Sequence, residues 1–130
     1  MNDIYLTNNP IVREHAPAAC GKMLSNAPHV VFVEAGYVGV LKTARDMIHQ
    51  GHKLLSHPLS GSIKPGETPY KTIAISGSAA SACDFDSLRI IEESIQTAEK
   101  LCGNERDIPE EVRKDLQLID YTLIFGGLNV

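Results

Sequence analysis

The chain alternates between two hydrophobic rhythms. Ile4-Tyr5-Leu6-Thr7, the run from His29 to Glu34 and Thr72-Ile73-Ala74-Ile75-Ser76 are short stretches of β-formers. Val30 to Val33 are four in succession, which predicts a strand buried on both faces, as in a parallel sheet. Between these runs the period becomes helical. Tyr37, Val40, Leu41, Ala44, Met47 and Ile48 predict a helix over 36–50, stopped by Gly51. Leu88, Ile91, Ile95, Ala98 and Cys102 form the clearest amphipathic face, with Asp84 or Asp86 as cap and Gly103 as stop.

Weaker signals fill the gaps. Asn9 followed by Pro10 starts a short helix carrying Ile11, Val12 and His15, which Pro17 interrupts. The stretch 16–28 is small, polar and without period. Lys53-Leu54-Leu55 reads as a short strand. Asp107-Ile-Pro-Glu110 resembles a capping box and opens a helix to Leu116. Leu118 to Phe125 reads as a last strand, closed by Gly126-Gly127.

The predicted order is β-α-β-α-β-loop-β-α-α-β. It implies a single-domain, three-layer α/β/α sandwich over residues 1–130, Rossmann- or flavodoxin-like, with a mostly parallel sheet of about five strands. Ligands in such sheets bind beyond the carboxyl ends of the strands. Thr7–Asn9, Ser56–Lys71 and Ser76–Ser81 are the segments that meet there in this reading.

Composition narrows the function classes. With 130 residues, 43% of them hydrophobic and 22% charged, the chain has the makeup of an ordinary globular domain. The net charge of −4 is unevenly placed. Residues 1–65 carry 6 basic and 4 acidic side chains, and residues 66–130 carry 6 and 12. No basic run fits a phosphate backbone, and Trp is absent, so nucleic acid is not an expected partner. No apolar run reaches the ~18 residues of a membrane span, and the start MNDIYLTNN does not read as a signal peptide. Cys20, Cys83 and Cys102 are odd in number and far apart, which argues against a disulfide framework or a structural zinc site. The expected compartment is the cytoplasm.

The loop 56–71, SHPLSGSIKPGETPYK, is the main functional candidate, because long irregular loops inside compact domains are uncommon and often functional. Ser60, Gly61, Ser62 and Lys64 join hydroxyls, a flexible backbone and an ammonium, a set that can receive a phosphate or carboxylate. Thr68, Tyr70 and Lys71 add polar reach. Asn8 and Asn9 lie beside them at a helix start, where an anion is also favoured, although capping explains Asn9 equally well. His57 opens the loop and is a candidate general acid/base or anion contact. An ordinary Pro-stiffened surface loop, with His57 as an anchor, is the competing explanation.

Other chemistry finds less support. His15, His29, His49, His52 and His57 do not stand at a metal-ligand spacing, so no metal is expected. Neither a P-loop nor G-x-G-x-x-G is present, and Gly36–Gly39 lacks the rest of the dinucleotide pattern. Ser76-Gly77-Ser78 is not a nucleophile elbow. No cofactor is implied.

Residues 52–71, HKLLSHPLSGSIKPGETPYK, resemble the central segment of the GrdX family. Thr7-Asn8-Asn9-Pro10, the stretch from Ala44-Arg45-Asp46 to Gly51-His52, and Ile90-Ile91-Glu92-Glu93-Ser94-Ile95 carry the likeness further, across residues 4–100. The resemblance implies a small accessory protein encoded with the glycine, sarcosine and betaine reductase systems of anaerobic amino-acid fermenters. It supplies no catalytic residues, since the reductase chemistry belongs to other, larger components. The expected role is therefore accessory rather than enzymatic, with loop 56–71 binding a small anion or a glycine reductase component. The alternatives are an enzyme using His57, or a structural interaction protein that dimerises through its apolar C-terminal strand.

Overall fold

Among the described residues three strands, not five, make the sheet. A computed structural model describes residues 3–19, 29–59, 63–102 and 108–125. Strand β1 (Ile4–Thr7) is central, β2 (His29–Phe32) runs parallel to it on one edge, and β3 (Thr72–Ile75) runs antiparallel on the other. The register sets Ile4 opposite His29 and Ile75, and Thr7 opposite Phe32 and Thr72. The sheet is thus mixed, and the expectation of a mostly parallel, five-stranded Rossmann- or flavodoxin-like sandwich is wrong.

Two expected strands account for the difference. Leu54 forms only an isolated antiparallel bridge with Ile75. Residues 118–125 are the second half of a helix, α4 (Glu110–Phe125). Their β-branched and aromatic side chains suit a strand by local preference, but no Gly or Pro breaks the segment after Pro109. Leu116, Asp120, Tyr121, Ile124 and Phe125 fall on one helical stripe, and packing of that stripe overrides local preference.

The other helices follow their sequence signals more closely. Helix α1 (Pro10–Ala19) begins where Asn9 Oδ1 accepts from the Ile11 N–H at 3.0 Å. It continues past Pro17, which falls in its last turn, where a missing N–H removes one bond with little helix left to disrupt. Helix α2 (Tyr37–His49) ends at Gln50, and Gly51 takes φ +111° just beyond it. Helix α3 (Phe85–Leu101) is capped by Asp84, whose carboxylate accepts from the Ser87 N–H and hydroxyl.

Alternation along β1 sorts the core. Ile4 and Leu6 face α2 and α3, where Val40, Leu41, Ala44, Ile48, Ile91, Ile95 and Ala98 are buried with Ile73 and Ile75. Tyr5 points the other way, to Val12 and Phe125 of α1 and α4. Its ring centroid is 5.1 Å from that of Phe125. β2 is an edge strand and only half-buried, against the expectation of burial on both faces.

Candidate functional site

A buried polar chain crosses this apolar interior at the end of β1. The Asn9 N–H donates to Thr7 Oγ1 at 3.0 Å. Thr7 and Thr72, cross-strand neighbours, hold their hydroxyls 2.8 Å apart. Thr72 gives its proton to Asp120 Oδ2 at 2.7 Å, so the bond between the two threonines runs from Thr7 to Thr72. Asn9 Nδ2 adds a second donor to Asp120 Oδ2 at 3.0 Å and reaches the Gln117 carbonyl at 2.8 Å. This carboxylate is only 8% exposed. Buried carboxylate oxygens need such donors to replace the water they lose.

Asn8 fixes the opposite wall. Its Nδ2 donates to the carbonyls of Ala35 and Pro69, at 3.0 and 2.8 Å, and its Oδ1 accepts from the Lys71 N–H at 2.9 Å. One side chain thus joins the end of loop 56–71 to the turn before α2. Lys71 is held between α2 and α4 and is 5% exposed, with Nζ 6.0 Å from the centroid of the Tyr37 ring. Burial lowers its pKa from the ordinary lysine value, and the Asp120 charge opposes that shift. Tyr37 is buried too, which raises its phenol pKa.

Two hollows share Tyr37 and Thr68 as lining residues. The inner one is a recess of about 20 Å³, room for a single water-sized group, with Tyr70, Lys71 and Asp120 as its polar lining and Ile63, Ile119 and Leu123 among its apolar walls. The outer one is a basin of about 500 Å³, within the size range of small-molecule sites. Gly36, Val38, Gly39, Gly66, Pro69, Cys102, Ile108 and Arg113 complete its lining.

The basin's chemistry comes from the start of α2. Gly36 is the N-cap, has extended backbone and offers no side-chain cap. The first bond of the helix runs from the Val40 N–H to the Gly36 carbonyl, so the N–H groups of Tyr37, Val38 and Gly39 have no acceptor within it. Helix polarity adds partial positive charge at this end. Arg113 of α4 brings a full one, and its Nε–H donates to the Ile108 carbonyl at 3.0 Å. Cys102 contributes a thiol whose pKa burial pushes up, so it is not primed as a nucleophile. Gly66 has φ +90° and lies where a Cβ would collide with the Leu101 carbonyl oxygen, which seats the 64–67 turn on the end of α3.

The loop therefore divides. Thr68, Tyr70 and Lys71 reach the hollows, and Tyr70 accepts a hydrogen bond from Gln117 Nε2 at 2.8 Å. Lys64 is exposed and lines neither hollow. His57 is exposed, lines neither, and accepts from the Leu59 N–H at Nδ1. Ser60, Gly61 and Ser62 lie outside the described residues, as do Cys20, Gly103 and the Asp107 cap. Asn8 and Asn9 stand beside the hollows with their amides engaged in binding protein groups.

Sequence reasoning missed Tyr37, Asp120 and Arg113. The signal available for the basin was Gly36-x-x-Gly39 after a strand and at a helix start; Asp120 was concealed by the strand assigned to 118–125, and Arg113 lay within the expected helix with nothing local to set it apart. Among the described residues no three His, Cys, Asp or Glu side chains converge as metal ligands. No helix among them is long and apolar enough to cross a membrane.

A family model described as GrdX-like protein matches residues 4–129, which extends the likeness through α4. No curated protein and no solved structure matches.

Proposed function

The chain belongs to the GrdX-like protein family, and we propose that it is an accessory protein of the glycine reductase kind that holds a small anion in the basin at the start of α2. Family membership supports the accessory role and an association with glycine reductase components. The observation that carries the anion is the uncapped first turn of α2, with three N–H groups lacking helical acceptors, opening on the same basin as Arg113. A carboxylate or phosphate placed there accepts from the backbone and pairs with the guanidinium. Loop 56–71 contributes through Thr68 and, beyond Tyr37, through Tyr70 and Lys71.

Titration calorimetry with inorganic phosphate and with acetate tests the reading. Arg113 is exposed, so Arg113→Ala leaves the fold intact. We expect it to weaken binding of either anion about tenfold, the loss of one charge-assisted contact. Equal affinity in both proteins, or no heat with either anion, overturns the site.

A further inference from the structure

Five described lysines, Lys42, Lys53, Lys64, Lys100 and Lys114, project from exposed positions; Lys71 does not. It lies in the inner recess beside Asp120 and Tyr70. Burial disfavours its ammonium form, the direction that favours the nucleophilic amine. The recess also supplies proton carriers. The Asp120 carboxylate is held in place by Thr72 and Asn9. The Tyr70 oxygen already receives a hydrogen from Gln117, which leaves its own hydroxyl proton to donate.

We infer that Lys71 is an imine-forming amine, and that its substrates are small carbonyl compounds whose C=O end enters the recess while the rest occupies the basin. The step is a condensation. The Nζ lone pair adds to the carbonyl carbon, and the C=O π pair moves to oxygen, which takes a proton from Tyr70. Asp120 accepts a proton from nitrogen. Return of that proton to the carbinol oxygen releases water, nitrogen's last proton restores Tyr70, and a C=N bond remains. One amine and one carbonyl give one imine and one water, with no oxidant or reductant required. A recess of about 20 Å³ admits only the carbonyl end, which limits the carbonyl carbon to slender substituents.

Imine formation itself does not depend on the basin's anion. A preference for an oxo acid over a plain aldehyde does rest on that reading. Acetaldehyde and glyoxylate, which have two carbons each and differ in the carboxylate, separate the two. The full-length protein is treated with each at neutral pH in cyanoborohydride, digested, and the modified lysines are mapped by mass spectrometry. We expect Lys71 to be alkylated faster than Lys64 despite its burial. Lys71→Arg, which keeps the charge, removes that label and leaves the surface labelling unchanged. Labelling of Lys71 no faster than Lys64 with both carbonyls overturns the inference. Fast labelling by both without a preference for glyoxylate upholds the imine and counts against the anion site alone.

Discussion

Thr72 Oγ1 lies 2.7 Å from Asp120 Oδ2, and this bond ties the edge strand β3 to helix α4 through the interior of the protein. It ends a directed relay from the Asn9 N–H through the Thr7 and Thr72 hydroxyls. The relay serves two purposes. It stabilises a carboxylate that is nearly out of water, and it fixes that carboxylate on the recess that Lys71 also lines.

Removing Asp120 therefore strands several groups at once. Asp120→Ala leaves the Thr72 hydroxyl and one Asn9 N–H without their acceptor and Lys71 without its opposing charge. We expect a loss of about 3 kcal/mol in urea unfolding. Adding Lys71→Met to that variant should return about 1 kcal/mol, because a buried ammonium is removed with its counter-charge. Strict additivity of the two changes would contradict the coupling.

Asn9 and Asn8 are sequence neighbours with separable duties. Asn9→Ala removes the α1 cap and both bonds to α4, and it should cost about 2 kcal/mol. Asn8→Ala releases Pro69, the Lys71 N–H and the Ala35 carbonyl, so amide hydrogen exchange should accelerate at Tyr70 and Lys71 while α1 stays protected. Faster exchange throughout α1 in the Asn8 variant would refute this division.

Much of the local structure was legible in the sequence, and for physical reasons. Helices α2 and α3 show the 3.6-residue period because each buries one face in the same core cluster, α3 chiefly against α2. Asn9-Pro10 marks the start of α1 because a cap is a contact within three residues. The site was less legible. Asp120 meets Asn9 across 111 positions and Thr72 across 48, and no local pattern encodes such contacts. Leu118 to Phe125 has strand-like composition, and only the packing of Tyr121, Ile124 and Phe125 with Tyr5 and Val12 shows why it is a helix. Of the residues named in loop 56–71, Thr68, Tyr70 and Lys71 line the hollows, while His57 and Lys64 are exposed and line neither.

Alkaline pH should expose the buried ionisable groups. Lys71 has a folded pKa below its ordinary 10.5, so between those two values the unfolded chain binds more protons and stability rises with pH. Tyr37 has a folded pKa above its ordinary 10.0, and Cys102 one above 9.0; as pH passes those ordinary values the unfolded chain ionises first and stability falls. Thermal melts of wild type and Lys71→Met across this range separate the contributions. The variant should lose the rising component and keep the falling one. Parallel profiles would mean that Lys71 titrates as it does in the unfolded chain.

The most direct test of the anion site uses Gly36. Its φ of −77° suits any residue, and a Cβ there would meet nothing within 4 Å. Gly36→Asp supplies the side-chain cap that α2 lacks and places a carboxylate where the anion would sit. The free protein should become more stable by a few tenths of a kcal/mol, roughly the difference between Gly and Asp at an N-cap. Its melting temperature should no longer rise with inorganic phosphate, whereas that of wild type should rise with concentration. A variant that is stabilised by phosphate as strongly as wild type would contradict the account.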